Sequence, residues 1–151
     1  MIVNPEKLQI MFIGRGKNFN CKQRLKINNT IIESNTSVKL LGVEIDNNLN
    51  FNDHISSLCK SASNKLNAIS RMHKYIGKKE KQTLINTFVY SNFNYCPLVW
   101  HFSSSKSLKK IERIQERCLR IIHDNYSDNY MNLLKSTNTP SMEVKRLRTL
   151  Q

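Results

Sequence analysis

Two acids and one basic helix face are the residues whose chemistry has to be decided first. Glu44 and Asp46 sit inside the stretch Lys39 to Phe51, KLLGVEIDNNLNF. Carboxylates at i and i+2 on a strand share one face. That is the arrangement of a metal-binding catalytic pair, or of a strand edge that runs into an amide-rich turn. The second set is basic: Lys106, Lys110, Arg113, Arg117 and Arg120 recur at spacings of four, three, four and three. On a helix those spacings hold them within about 80° of arc, with Lys109 nearby. A helix that docks by one face and shows a cationic ridge on another suits a phosphate backbone. The same pattern also describes a solvated amphipathic helix partly neutralised by Glu112.

Other chemistries find little in the sequence. Three cysteines have a histidine five positions away: His54 with Cys59, Cys96 with His101, Cys118 with His123. Five residues are about 140° of helical rotation, so these pairs do not share a face. Cys21 stands apart and no CxxC occurs, so no metal site is expected. There is no GxSxG, and Gly14-Arg15-Gly16 lacks the rest of any phosphate-gripping loop. Lys60, Lys65, Arg71, Lys74, Lys78 and Lys79 add charge elsewhere, and Lys78-Lys79-Glu80-Lys81 reads as a basic connector. Tyr90, Phe93, Tyr95 and Trp100 gather around Pro97. They either stack on bases or pack a junction between helices, and packing is the favoured reading.

The bulk numbers point the same way. The chain has 151 residues, with 24 Lys and Arg against 11 acids and a net charge of +13. Such a balance favours a polyanionic partner, nucleic acid or an anionic membrane surface, over a neutral one. A solvated basic surface is the alternative. No apolar run approaches the roughly 20 residues of a membrane span. No membrane span is therefore expected, and charge alone leaves both polyanionic partners open. The N-terminus has neither the basic flank nor the apolar core of a signal peptide. The expectation is an intracellular chain with reduced thiols, nuclear or cytoplasmic.

The elements that must position these residues change character near residue 50. Gln9 to Gly14 is a short apolar run. Arg24 to Asn28 alternates as a half-buried strand, and Thr30 to Glu33 returns as its hairpin partner through Asn28-Asn29. Val38 to Asp46 reads as one further strand with a phase shift. Val38 and Leu40 point one way, Leu41, Val43 and Ile45 the other, and Gly42 sits at the crossover, where a bulge or a close backbone approach costs least. Helices come next: one from Phe51 to Ile76 ended by Gly77, one from about Lys79 to Asn94 with Leu84, Ile85, Phe88 and Val89 inward, and one from about Lys106 to His123. The third turns Leu108, Ile111, Ile114, Gln115, Cys118, Ile121 and Ile122 inward. Two short helical segments close the chain on either side of Pro140. The fold class expected is α+β: a small antiparallel sheet over 1–50, a helical bundle over 51–126, and short C-terminal helices over 127–151.

Taken in order, these stretches resemble the C-terminal part of a reverse transcriptase from non-LTR (LINE-type, jockey- or CR1-like) retrotransposons. NPEK (Asn4 to Lys7) followed by QIMFIG looks like that family's motif D. VKLLGVEID (Val38 to Asp46) looks like its motif E. FNDHISSLCKSASNKLNAISR (Phe51 to Arg71), YCPLVW (Tyr95 to Trp100) and IERIQERCLRII (Ile111 to Ile122) resemble successive elements of its thumb.

The resemblance implies a palm-edge remnant leading into a thumb-like bundle, with nucleic acid, a primer–template (RNA/DNA) duplex, as partner, a missing palm and fingers portion as another, and no membrane. It implies primer-grip-like roles for Leu41, Gly42, Val43 and Asp46. It implies a motif D role for Lys7, charge or a proton offered to the leaving pyrophosphate, although Leu8 replaces the usual hydroxyl residue after it. The family's Tyr/Phe-Ala-Asp-Asp motif does not occur between Met1 and Gln151. No catalytic residue is therefore assigned, Mg²⁺ is expected only for the complete enzyme, and Glu44 and Asp46 fall beside the primer path. The motif D strand is expected to expose an unpaired edge. The reading is a truncated polymerase fragment that retains nucleic-acid backbone binding. A protein-interaction helical module, or the non-functional product of a decayed element, is the alternative.

Overall fold

The computed structural model describes residues 8–14, 23–27, 30–100 and 103–149. The fold is α+β. It divides into two compact units, Met1–His54 and Ile55–Gln151.

Period-two alternation builds the first unit. β1 (Arg24–Ile27) pairs antiparallel with β2 (Thr30–Glu33), and Ile27 lies opposite Thr30. The hairpin therefore closes through 28–29, which lie outside the described residues. Arg24 and Glu33 face each other at 2.9 Å on the surface, a pair that contributes little in water. The run from Gln9 to Gly14 forms no strand. It supplies one parallel bridge, Ile10 to Ser34, fixed by Asn35 N–H donating to Ile10 O at 2.8 Å.

The stretch from Val38 to Asp46 is not one bulged strand. It is a hairpin, β3 (Ser37–Leu40) against β4 (Val43–Asp46), with Leu40 opposite Val43. Leu41 (φ 48°) and Gly42 (φ 88°) form the two-residue turn. Positive φ at both central positions is the primed geometry that matches strand twist. The phase shift in the sequence is thus a chain reversal. Val38, Leu40, Val43 and Ile45 all end on one face, because directly opposed residues of an antiparallel pair share a face. Leu41 joins neither set and stands 82% exposed at the tip. The two hairpins are separate two-stranded ladders rather than a single sheet.

Period 3.6 builds the second unit. α1 (Asn52–Met72) buries Ile55, Cys59, Ala62, Leu66 and Ile69. Each fully buried Ile or Leu of this set contributes about 1.5–3 kcal/mol. The helix stops at Met72, and Gly77 does not end it. Gly77 is instead the residue before α2 (Lys78–Leu84), in an extended conformation. The expected basic connector is therefore the first turn of a helix. Within it Lys81 is buried and donates to both carboxylate oxygens of Asp124, at 2.8 and 2.7 Å.

The helix continues through a π-helical segment, Ile85–Tyr90, into α3 (Ser91–Asn94). A π turn closes on the fifth residue rather than the fourth and so rotates the residues beyond it. Ile85, Val89, Tyr90 and Phe93 consequently face the core, while Phe88, expected inside, is 49% exposed. Tyr95 extends the backbone, and a single 3-10 turn, Pro97–Trp100, succeeds it.

α4 (Ser105–His123) is the spine of this unit and packs against α2, α5 (Tyr130–Ser136) and α6 (Met142–Thr149). Ser104 caps it by accepting from Ser107 N–H, and Asp124 ends it in the left-handed region at φ 50°. Asn129 and Ser141 cap the next two helices, accepting from Asn132 N–H at 2.9 Å and Val144 N–H at 3.3 Å. α5 and α6 belong to the same compact unit as α4.

Candidate nucleic-acid interface on helix α4

One arc of α4 is core. Ile111, Ile114, Gln115, Cys118, Leu119, Ile121 and Ile122 are buried. The opposite arc carries the basic ridge. Lys106, Lys109, Arg113 and Arg117 are exposed there, and Lys110 is half-buried at its margin.

Not all six cations have the same freedom. Among the described residues, the side chains of Lys106, Lys109 and Arg113 make no hydrogen bond or ion pair. Lys110 Nζ donates to Ser56 Oγ at 3.2 Å, and Arg117 Nη2 donates to Asn67 Oδ1 at 2.7 Å. Both partners are neutral residues of α1. These bonds orient the side chains and leave their charge intact.

Arg120 is differently placed. It pairs with Glu116 at 2.7 Å and donates to Tyr126 O and Asp128 O, so its fork holds the loop after α4.

The acids beside the ridge are also engaged. Glu116 is held by Arg120. Glu112 turns away from the ridge and accepts from Tyr130 Oη–H, from Glu143 N–H at 2.9 Å and from Met142 N–H at 3.3 Å. A carboxylate at the first amides of α6 also meets the positive end of that helix. Tyr130 lies against Gln115 Oε1 at 2.8 Å as well, and Gln115 Nε2 donates to Pro140 O at 2.9 Å. Burial first, then the hydrogen bond it donates to Glu112, pushes the Tyr130 phenol up, so it stays protonated. In the alternative reading Glu112 partly neutralises the ridge. Its actual work is to tie α5 and α6 to α4.

The strand residues take separate roles. Leu41 and Gly42 form the hairpin tip, and Val43 is buried. Asp46 accepts from three backbone amides, Asn48 and Asn50 at 3.1 Å each and Phe51 at 2.6 Å. Its carboxylate organises the amide-rich turn. Glu44 offers its backbone N–H to His54 Nδ1 at 3.3 Å. Burial holds the His54 imidazole below its ordinary range, against the opposing field of Glu44. Lys7, Gly16, Cys21 and His101 lie outside the described residues.

Among the described residues, no three His, Cys, Asp or Glu side chains converge to hold a metal ion. Burial pushes the Cys59 thiol up to about 11 and the Cys118 thiol up to about 12. Both are held as thiols rather than as nucleophilic thiolates. Of the aromatic group, Tyr90 and Phe93 are core and Tyr95 is 51% exposed. No helix of the described residues is long and apolar enough to cross a membrane.

The ridge spacing left two cations aside. Lys145 and Arg146 of α6 are drawn inward, Arg146 to 6% exposure. The run VKRLR carries their charge, but only the packing of α6 against α4 and beside the Asn86–Pro97 stretch reveals the burial. Comparison of the chain with protein-family models, curated proteins and solved structures returns no match.

Proposed function

We propose that the helical unit holds the sugar–phosphate backbone of nucleic acid through the outward arc of α4, without catalysis of its own. The observation that carries this reading is that the ridge is not neutralised. Lys106, Lys109 and Arg113 are exposed and unpaired among the described residues, while Glu112 and Glu116 are held elsewhere. The net charge of +13 supplies a favourable long-range field. Lysine and arginine arrayed along one helix track phosphates and do not read base edges. The resemblance to a non-LTR reverse transcriptase thumb adds the expected substrate, a primer–template duplex.

The polymerase step is not part of this proposal. Mg²⁺, which the resemblance implies only for the complete enzyme, finds no fitting donor set here. Both Asp46 oxygens already accept backbone amides, and no acid cluster stands beside it among the described residues.

The test is duplex binding followed by fluorescence anisotropy across a salt series. Lys106, Lys109, Lys110, Arg113 and Arg117 reaching about five phosphates give a log–log slope near −4 to −5 on B-form DNA. Combined Lys106→Glu, Lys109→Glu and Arg113→Glu should abolish binding with helicity unchanged. A flat salt response, or full binding by the triple variant, refutes the proposal.

A second reading draws on the first unit. Leu25, Ile31, Leu40 and Leu41 are all exposed there. Such apolar surface on small hairpins favours a protein partner, the missing palm portion being the one implied by the resemblance.

A further inference from the structure

α1 and α4 run side by side in the same sense. Ser56 of α1 meets Lys110, and Asn67, further along α1, meets Arg117, further along α4. Their C-terminal ends therefore lie at one end of the bundle. Electrostatics across that end agree: His73 acts on Asp124, and Lys78 on His123.

The segment that leaves α1, Arg71 to Lys79 (RMHKYIGKK), carries Arg71, Lys74, Lys78 and Lys79 and no acid. All four cations are exposed, and among the described residues their side chains make no hydrogen bond or ion pair. Glu80 follows the segment and lays its carboxylate against Gly77, and Asp124 is held by Lys81. Tyr75 stands amid these charges. Its backbone is fixed, its N–H donating to Met72 O at 2.9 Å, yet the residue is 88% exposed. Both faces of the ring are therefore open to water.

An uncovered ring among unpaired cations selects its partner by chemistry. An acidic peptide would meet the charges and leave the ring idle. A base inside a duplex is already stacked on its neighbours. An unpaired base offers a free π face to an aromatic side chain, and the strand places phosphates on both sides of that base. Arg71 and Lys74 precede Tyr75 and Lys78 follows it, so charge is available on both sides of the ring as well.

We propose that this end of the bundle binds the unpaired end of a nucleic-acid strand, one base stacking on Tyr75 while Arg71, Lys74 and Lys78 meet the adjoining phosphates. The inference extends the ridge reading, because the ridge on α4 runs toward this end and a duplex held there brings its single-stranded end to the patch.

The experiment is fluorescence anisotropy with the full chain and three duplexes: blunt, with a short thymidine overhang, and with an overhang of the same length built of abasic units. The thymidine overhang should tighten binding by about fivefold or more, the worth of one base stacked on an aromatic ring. The abasic overhang, which keeps the phosphates and loses the bases, should give a smaller gain. Tyr75→Ala should remove the thymidine gain and leave blunt-duplex binding unchanged, and Tyr75→Phe should retain the gain. Oligothymidine alone probes the platform without a duplex, so the ridge reading can fail while this one stands. Tyr75→Ala should weaken oligothymidine binding by about fivefold or more. Blunt binding with no overhang gain leaves the ridge and removes the platform. An equal gain from the abasic overhang, or undiminished oligothymidine binding by Tyr75→Ala, overturns the proposal.

Discussion

Removing the Glu112 carboxylate should loosen two helices at once. Glu112 accepts from the Tyr130 hydroxyl on α5 and from Glu143 N–H at 2.9 Å on α6, with Met142 N–H at 3.3 Å as a weaker third donor. A hydrogen bond to a charged group contributes about 1.5–3 kcal/mol. The favourable field at the start of α6 adds about 0.3–1 kcal/mol. Taking the two stronger bonds at the low end, Glu112→Ala should cost about 3 kcal/mol. Glu112→Gln, which keeps one acceptor and loses the charge, should cost about 1–2 kcal/mol. Against a domain stability of about 5–15 kcal/mol these are large fractions. The assay is urea unfolding followed by far-ultraviolet circular dichroism. Tyr130→Phe should be non-additive with Glu112→Gln by about 0.5 kcal/mol or more. A loss below about 1 kcal/mol for Glu112→Ala, or strict additivity of the pair, refutes the anchoring role.

Two further outcomes concern the first unit. Leu41→Asn replaces a left-handed leucine that is 82% exposed with a residue that tolerates positive φ, so little burial is lost. It should stabilise the β3–β4 hairpin by about 0.5–1 kcal/mol and slow hydrogen exchange of its amides, whereas faster exchange contradicts the primed turn. His54 has a folded pKa below its unfolded value of 6.5, so its contribution is complete above that value and is lost as pH falls through the depressed one. The protection factor of the Glu44 amide, its exchange rate relative to the intrinsic rate at each pH, should therefore fall on acidification, and His54→Gln should flatten that dependence.

α4 was legible because its two periodicities lie on one helix: the apolar set and the cations have the same repeat and different phase. The second hairpin was not. Leu41 is not a turn-forming residue, so only the phase shift at Gly42 marked the site, and a bulge produces the same mark. Phe88 was misplaced because a π turn changes the facing of Tyr90 and Phe93 without a sequence signature of its own. Lys81 sits in a run of exposed-looking charges, and its burial depends on Asp124, a residue far along the chain. Arg120 fits the ridge spacing, yet two of its acceptors are backbone carbonyls of the loop after the helix, which composition cannot reveal. The Glu112 anchor likewise depends on α6 arriving alongside it.

The division of α4 into a core arc and an outward arc separates two selective constraints along one stretch of chain. Mutations that erase charge from the outward side leave the keel of the bundle untouched, so such a chain keeps its shape while losing its cationic surface. Across descendants of this sequence, a preserved fold can therefore outlive any contact made by the outward cations.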